Sequence, residues 1–363
     1  MKTKIPHLLA VGFLLGSVNA SFADKITPPP SAKEAGRFPS VSVVNVFEPK
    51  GESNVRSSFR LSDKVGLIGT EETADLFKTE DGGSTWRKVL DGKSLWKVND
   101  IRNFIRADDG HLYFTTSDPG IVCRSEDEGE NWKVVAKPKA SRTVGLVQLD
   151  DGTFLVGLRR AEQKKTSLIR SDDHFETETW IKVSDEDPPQ NTTCFHNLGG
   201  TNALVGVGYE ASGKIYKSTD SGLTWTKKAD FPEARDTMWF FQEGKRTYLL
   251  ASGVATLYVS EDEGETWAKD RQFWKKGFLG MSVPYKRDGK NYRLMCATDQ
   301  TEKPNRHVIL ISDDAAKTWF EWIELDRDKT GGASNLSVLS PDRIIAGTGN
   351  HSAQGKAFTL EVK

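Results

Sequence analysis

Cysteine, histidine and methionine are scarce in this chain of 363 residues, with three, six and four copies. Cys123, Cys194 and Cys296 are odd in number and irregular in spacing, which gives neither a disulfide framework nor a zinc-ligand pattern. Each lies in or beside an apolar run and reads as a small buried hydrophobe. His196 and His351 are too far apart in sequence to be argued as metal ligands, so no metal and no cofactor is expected. Charge of one sign is lacking as well: 50 Lys and Arg stand against 51 Asp and Glu, for a formal net charge of −1. That balance offers nothing to nucleic acid. Past the N-terminus there is no apolar run of the roughly 20 residues a membrane span needs, and no long helix-period segment.

The N-terminus is of another kind. Lys2 and Lys4 precede the run Leu8-Leu9-Ala10-Val11-Gly12-Phe13-Leu14-Leu15, and Ser21-Phe22-Ala23 places small residues at the cleavage-determining positions. Residues 1–23 therefore read as a signal peptide cleaved near Ala23, and the protein as exported, to the periplasm or outside the cell. Residues 24–36, with Pro28-Pro29-Pro30, read as a flexible leader, and 37–363 as one domain, expected to be a monomer without a membrane span.

That domain is organised by a short stretch most legible as Ser260-Glu261-Asp262-Glu263-Gly264-Glu265-Thr266-Trp267. Other copies run from Thr79 to Trp86, Ser125 to Trp132, Ser171 to Trp180, Ser218 to Trp225 and Ser312 to Trp319. The closing tryptophans are 46, 48, 45, 42 and 52 residues apart, the mark of a repeat architecture. Each copy lies between apolar strands and so must be a hairpin turn. The Asp and Ser/Thr side chains accept backbone N–H groups, the Gly supplies a left-handed residue, and the Trp is a large plate for the core. Two copies are degraded, with Ala316 or Phe175 at the Gly position and two extra residues before Thr179 in the latter. A catalytic motif would not tolerate that.

The pattern resembles the Asp-box, or BNR repeat, of sialidases, sortilin-type receptors, xyloglucan hydrolases and photosystem II assembly propellers. The resemblance implies a β-propeller, and the strand pattern agrees. In the third repeat, runs at 142–149, 153–159, 166–171 and 179–183 make four strands, and the same frame fits five other repeats. Residues 333–363 supply only three strands, while Ser40 to Phe47 is a strand that no repeat claims. Together they predict a seventh blade, and a seven-bladed ring closed by the N-terminal strand.

In that frame the inner strands and the loops opening on the channel mouth bring Arg56, Arg102, Arg142 and Arg235 together with His351. Guanidinium forks match a carboxylate, sulfate or phosphate bidentately, which suits an anionic ligand. Sialidases use arginines, a Tyr–Glu pair and an Asp, so the candidates here for a catalytic set are Asp118, Tyr209, Glu210 and Asp236. Tyr209 and Glu210 are adjacent in one strand and point opposite ways, which a nucleophile pair does not allow. Two functions follow as expectations: binding or hydrolysis of an anionic carbohydrate, as the sialidase resemblance implies, or capture of an acidic protein segment, as the assembly-propeller resemblance implies. Fold does not choose between them.

Overall fold

A computed structural model describes residues 26–51, 54–161, 166–186, 191–208, 212–326, 328–348 and 355–363. The expected signal peptide lies outside them, as do Tyr209, Glu210 and His351. Among the described residues the chain is almost entirely β, with 28 strands in antiparallel sheets and two short helices, Ala32–Ala35 and Gly92–Trp96.

Most strands are grouped in fours, in sequence order, by consecutive hairpins. Residues 55–91, 191–231, 236–272 and 277–325 each form one four-stranded sheet. The two groups at 100–136 and 140–184 merge into an eight-stranded sheet through the single pair Arg142↔Ser117. In the remaining sheet Val41–Phe47 pairs antiparallel with Ala357–Val362, from Val41↔Val362 to Phe47↔Ala357, outside Arg343–Thr348 and Ala333–Ser340. The strand that no repeat claims thus pairs with the C-terminal one.

The second and third strands of a group, such as Gly66–Thr70 and Asp75–Thr79, are buried throughout. A strand covered on both faces reads as a nearly continuous apolar or small-residue run. The core lies between successive sheets: Leu67 and Leu76 of one pack with Ile101, Phe114 and Cys123 of the next. The first sheet also packs on the last, through Val55, Ile68 and Phe77 against Leu339, Ile345 and Ala357.

All six repeated turns share one hydrogen-bond scheme. At Ser260 the hydroxyl donates to Asp262 Oδ1 at 2.8 Å and accepts from Gly264 N at 2.7 Å. Asp262 accepts from Thr266 N at 2.8 Å and from its hydroxyl at 2.5 Å. The turn then docks on the preceding sheet. A Cβ at Gly264 would lie 2.7 Å from Leu204, and one at Gly222 2.5 Å from Leu155, so glycine is required there for space as well as for its positive φ.

Three expectations about the turns are corrected. In the third copy Thr177, not Thr179, donates to Asp173, so the two extra residues follow the turn and precede Trp180. Phe175 and Ala316 adopt the glycine conformation at φ 70° and 64°, held there by burial: Phe175 packs on Tyr113 and Phe154, and Ala316 is 1% exposed. The tryptophans are half-buried rather than buried, except Trp319. Trp132, Trp225 and Trp267 each donate Nε1 to the turn's glycine carbonyl at 2.9–3.1 Å, which keeps one edge of the ring at the surface.

The leader is also more ordered than its composition suggests. Thr27 N donates to Gln272 O at 3.0 Å and Glu321 N to Pro30 O at 2.8 Å, so residues 26–31 run along the outer edges of two sheets. Ala32 then enters the core beside Trp322. Backbone pairing outweighs the polyproline tendency once a free strand edge is at hand.

Candidate functional site

The two ends of the sheets are different environments. At one end the repeated turns meet the turns between first and second strands, with Gly82 N donating to Lys64 O and Ser221 N to Thr201 O, both at 2.9 Å. At the other end the loop after a second strand meets the start of the next innermost strand. There Glu71 bridges to Asp100, and Glu72 N donates to Asn99 O at 2.7 Å. The repeated turns therefore lie opposite the end where the candidate arginines start their strands.

The innermost strands, Val55–Arg60, Asp100–Arg106, Ala140–Gln148, Asn191–Gly199, Asp236–Glu243, Gly277–Arg287 and Ala333–Ser340, surround a cavity of about 810 Å³ to which all seven contribute. Of the sequence-predicted ligand residues, Arg56 and Arg102 line it; Arg142 and Arg235 do not. Arg60, at the far end of its strand, is a third guanidinium in the wall, and among the described residues the lining contains no Asp or Glu.

Arg56 and Arg102 are held from behind. Arg56 makes a two-pronged contact to Glu71, Nε to Oε2 at 3.1 Å and Nη2 to Oε1 at 2.9 Å, and Asn54 Nδ2 donates to the same carboxylate. Burial pushes the Glu71 carboxyl up, but the Arg56 and Asn54 hydrogen bonds and the Arg102 charge outweigh it and hold it below the usual range. Arg102 Nη2 lies 2.5 Å from Asp100 Oδ2, which also accepts from Ser117 Oγ at 2.9 Å. Asp100 is 1% exposed, so Arg102 and Ser117 are held against a buried carboxylate. The guanidiniums are thereby fixed in place with part of each fork turned to the cavity.

The other candidates stand apart. Arg142 faces Asp118 at 3.5 Å on the rim; Arg235 is exposed and Asp236 half-buried, neither in the lining. Glu71 and Asn54 were not singled out from sequence; the adjacent Glu72 takes a left-handed turn conformation at φ 85°. A one-residue shift at a strand end is enough to exchange them. His196 lines the cavity, and burial holds its imidazole down at about 4, hence neutral. Trp274 is core, whereas Trp239 belongs to the cavity wall. Among the described residues no cluster of three His, Cys, Asp or Glu could hold a metal, and no helix is long and apolar enough to cross a membrane.

The arrangement places the chain among all-β proteins of propeller-like fold. No protein-family model matches it. Among curated proteins it is similar to the photosystem II assembly lipoprotein Ycf48 of Trichormus variabilis, 27% identical over 210 residues, 55% of this chain and 56% of that protein. The match thus spans about half the length of the relative. Among solved structures it is similar to YCF48 bound to a D1 peptide (TM-score 0.58, 15% identity, 90% of this chain and 97% of the other). It is also similar to the GH74 xyloglucanase from Xanthomonas campestris (TM-score 0.58, 15% identity, 86% and 52%). At those identities the structural likenesses bear on fold alone.

Proposed function

We propose that the protein is an exported, seven-bladed propeller that binds an acidic segment of a partner protein at the mouth of its central cavity. The observation that carries this is the lining itself: guanidiniums fixed from behind by Glu71 and Asp100, with no Asp or Glu among the described residues of the wall. Such a wall attracts a carboxylate and holds it by charge-assisted hydrogen bonds, each contributing about 1.5–3 kcal/mol. The curated relatives named as assembly proteins favour this reading over the glycan one.

The seven-blade reading is supported by counting the merged sheet as two groups of four, and the closed ring by the β pairing of Val41–Phe47 with Ala357–Val362 and the packing of first sheet on last. The N-terminal residues support export, and N-terminal sequencing of the mature protein checks it, with a start near Asp24 expected. The functional test is titration of the purified protein with short acidic peptides and their lysine-substituted counterparts, alongside fluorogenic sialosides. Binding of the acidic set alone is the expected result. Turnover of a sialoside, or equal affinity for both peptide sets, would overturn it.

A further inference from the structure

The cavity is deeper than a carboxylate site needs. Its lining includes Arg56 through Arg60 of Val55–Arg60, and four residue steps along the strand separate the two arginines by roughly 13 Å. At and between these levels the wall is also aromatic and thioether: Phe104, Phe195, Met238, Trp239 and Met281 all line it. Met238 is 37% exposed and the other four are half-buried, so the belt offers apolar surface to the cavity rather than only to the core behind it. An exposed methionine beside aromatic rings is an adaptable surface for apolar side chains. The guanidiniums therefore select negative charge, and the apolar belt beside and beyond them selects hydrophobicity.

We infer that the bound segment carries a bulky apolar side chain next to its carboxylate, and that this side chain descends into the belt while the carboxylate stays at Arg56 and Arg102. The inference rests on the protein-segment reading above and narrows it from any acidic peptide to one with an acidic–aromatic or acidic–aliphatic pair. The cations of the lining argue for this occupant over a neutral hydrophobe, which would leave both guanidiniums facing apolar surface. The cavity volume of about 810 Å³ falls in the range of sites that enclose such groups.

The test uses two blocked peptides of equal charge, one ending in Glu-Phe and one in Glu-Ala, titrated against the mature protein. The Glu-Phe peptide is expected to bind at least about tenfold more tightly, as burial of an aromatic side chain provides. Met238→Trp, which fills the belt from an exposed position, should remove that difference. A second readout needs no variant. The chain has only four methionines, so with methyl-labelled methionine the Glu-Phe peptide should shift Met238 and Met281, and leave the core residue Met295 in place. Equal affinity for the two peptides, or a shift absent from Met238 and Met281, overturns the inference while leaving the acidic-segment reading standing. Failure of both peptides to bind overturns that reading and this inference with it.

Discussion

The repeated turns and the cavity wall are built on opposite logics. Each turn repeats one set of bonds, and where the residue changes, as at Phe175 and Ala316, the backbone conformation stays the same. The wall repeats nothing: Arg56, Arg102, Thr193, Met238 and Ser334 take up comparable stations on successive inner strands. Uniform chemistry at one end holds the sheets in sequence, and non-uniform chemistry at the other end leaves room for a site. Substitutions at the turns should therefore cost stability and leave binding intact, while those at the wall should cost binding, and stability only where they strand a buried partner.

The largest expected effect belongs to neither end. Deleting residues 37–48 removes Phe38, Val41, Val43 and Phe47 from the core and bares the edge of Ala357–Val362. At about 1.5–3 kcal/mol for each apolar side chain, the loss rivals the whole stability of a typical domain, and the truncated chain should fail to give a cooperative melt. Deleting 24–36 removes two backbone contacts and Ala32, and should cost only about 1–3 kcal/mol by chemical denaturation.

Next come the turns. Trp319→Ala should destabilise by about 3–5 kcal/mol, because the ring is 1% exposed. Trp225→Ala should cost less, about 1–3 kcal/mol, because its ring is half-buried. In both, the surviving folded fraction should bind an acidic peptide as the parent does; a selective loss of binding would break the contrast between the two ends.

At the wall, Arg102→Ala should lower affinity for the Glu-Ala peptide at least about tenfold. It should also cost about 1–3 kcal/mol of stability, because buried Asp100 then keeps only Ser117. Pairing it with Asp100→Asn should restore the stability and not the affinity. If affinity returns too, Arg102 serves the fold and not the ligand.

The smallest effect is a pH dependence. Thr177's hydroxyl and amide hold the Asp173 carboxyl at about 2. At Asp81, Asp127, Asp220, Asp262 and Asp314 burial pushes up, but the turn's hydrogen bonds outweigh it and the carboxyls stay below their usual range. Folded values below unfolded ones mean stability that is present above about pH 4 and is lost as pH falls toward the folded values. Denaturation midpoints should be flat from pH 8 to about 5 and fall below that. In Asp262→Asn the fall should be shallower, and peptide affinity at neutral pH should not move.

How far the sequence alone reached follows the range of the interactions. A turn closes over eight residues, so its Ser, Asp, Gly and Thr are visible as a motif, and with them the hairpins, the fourfold strand groups and the all-β class. The strand before the first repeat was legible because apolar alternation is local, and its lack of a partner pointed to the incomplete last group. The cavity is decided at long range. Asn335 reaches the Val55 carbonyl across 280 residues of chain, and Phe104 and Met281 meet one space only after every sheet has taken its place. Whether Glu71 or its neighbour Glu72 backs Arg56 is a matter of one residue at a strand end, which pattern does not resolve. Local hydrogen bonding wrote the fold into the sequence; the charge pairing at the mouth and the apolar belt beneath it exist only where the seven inner strands converge.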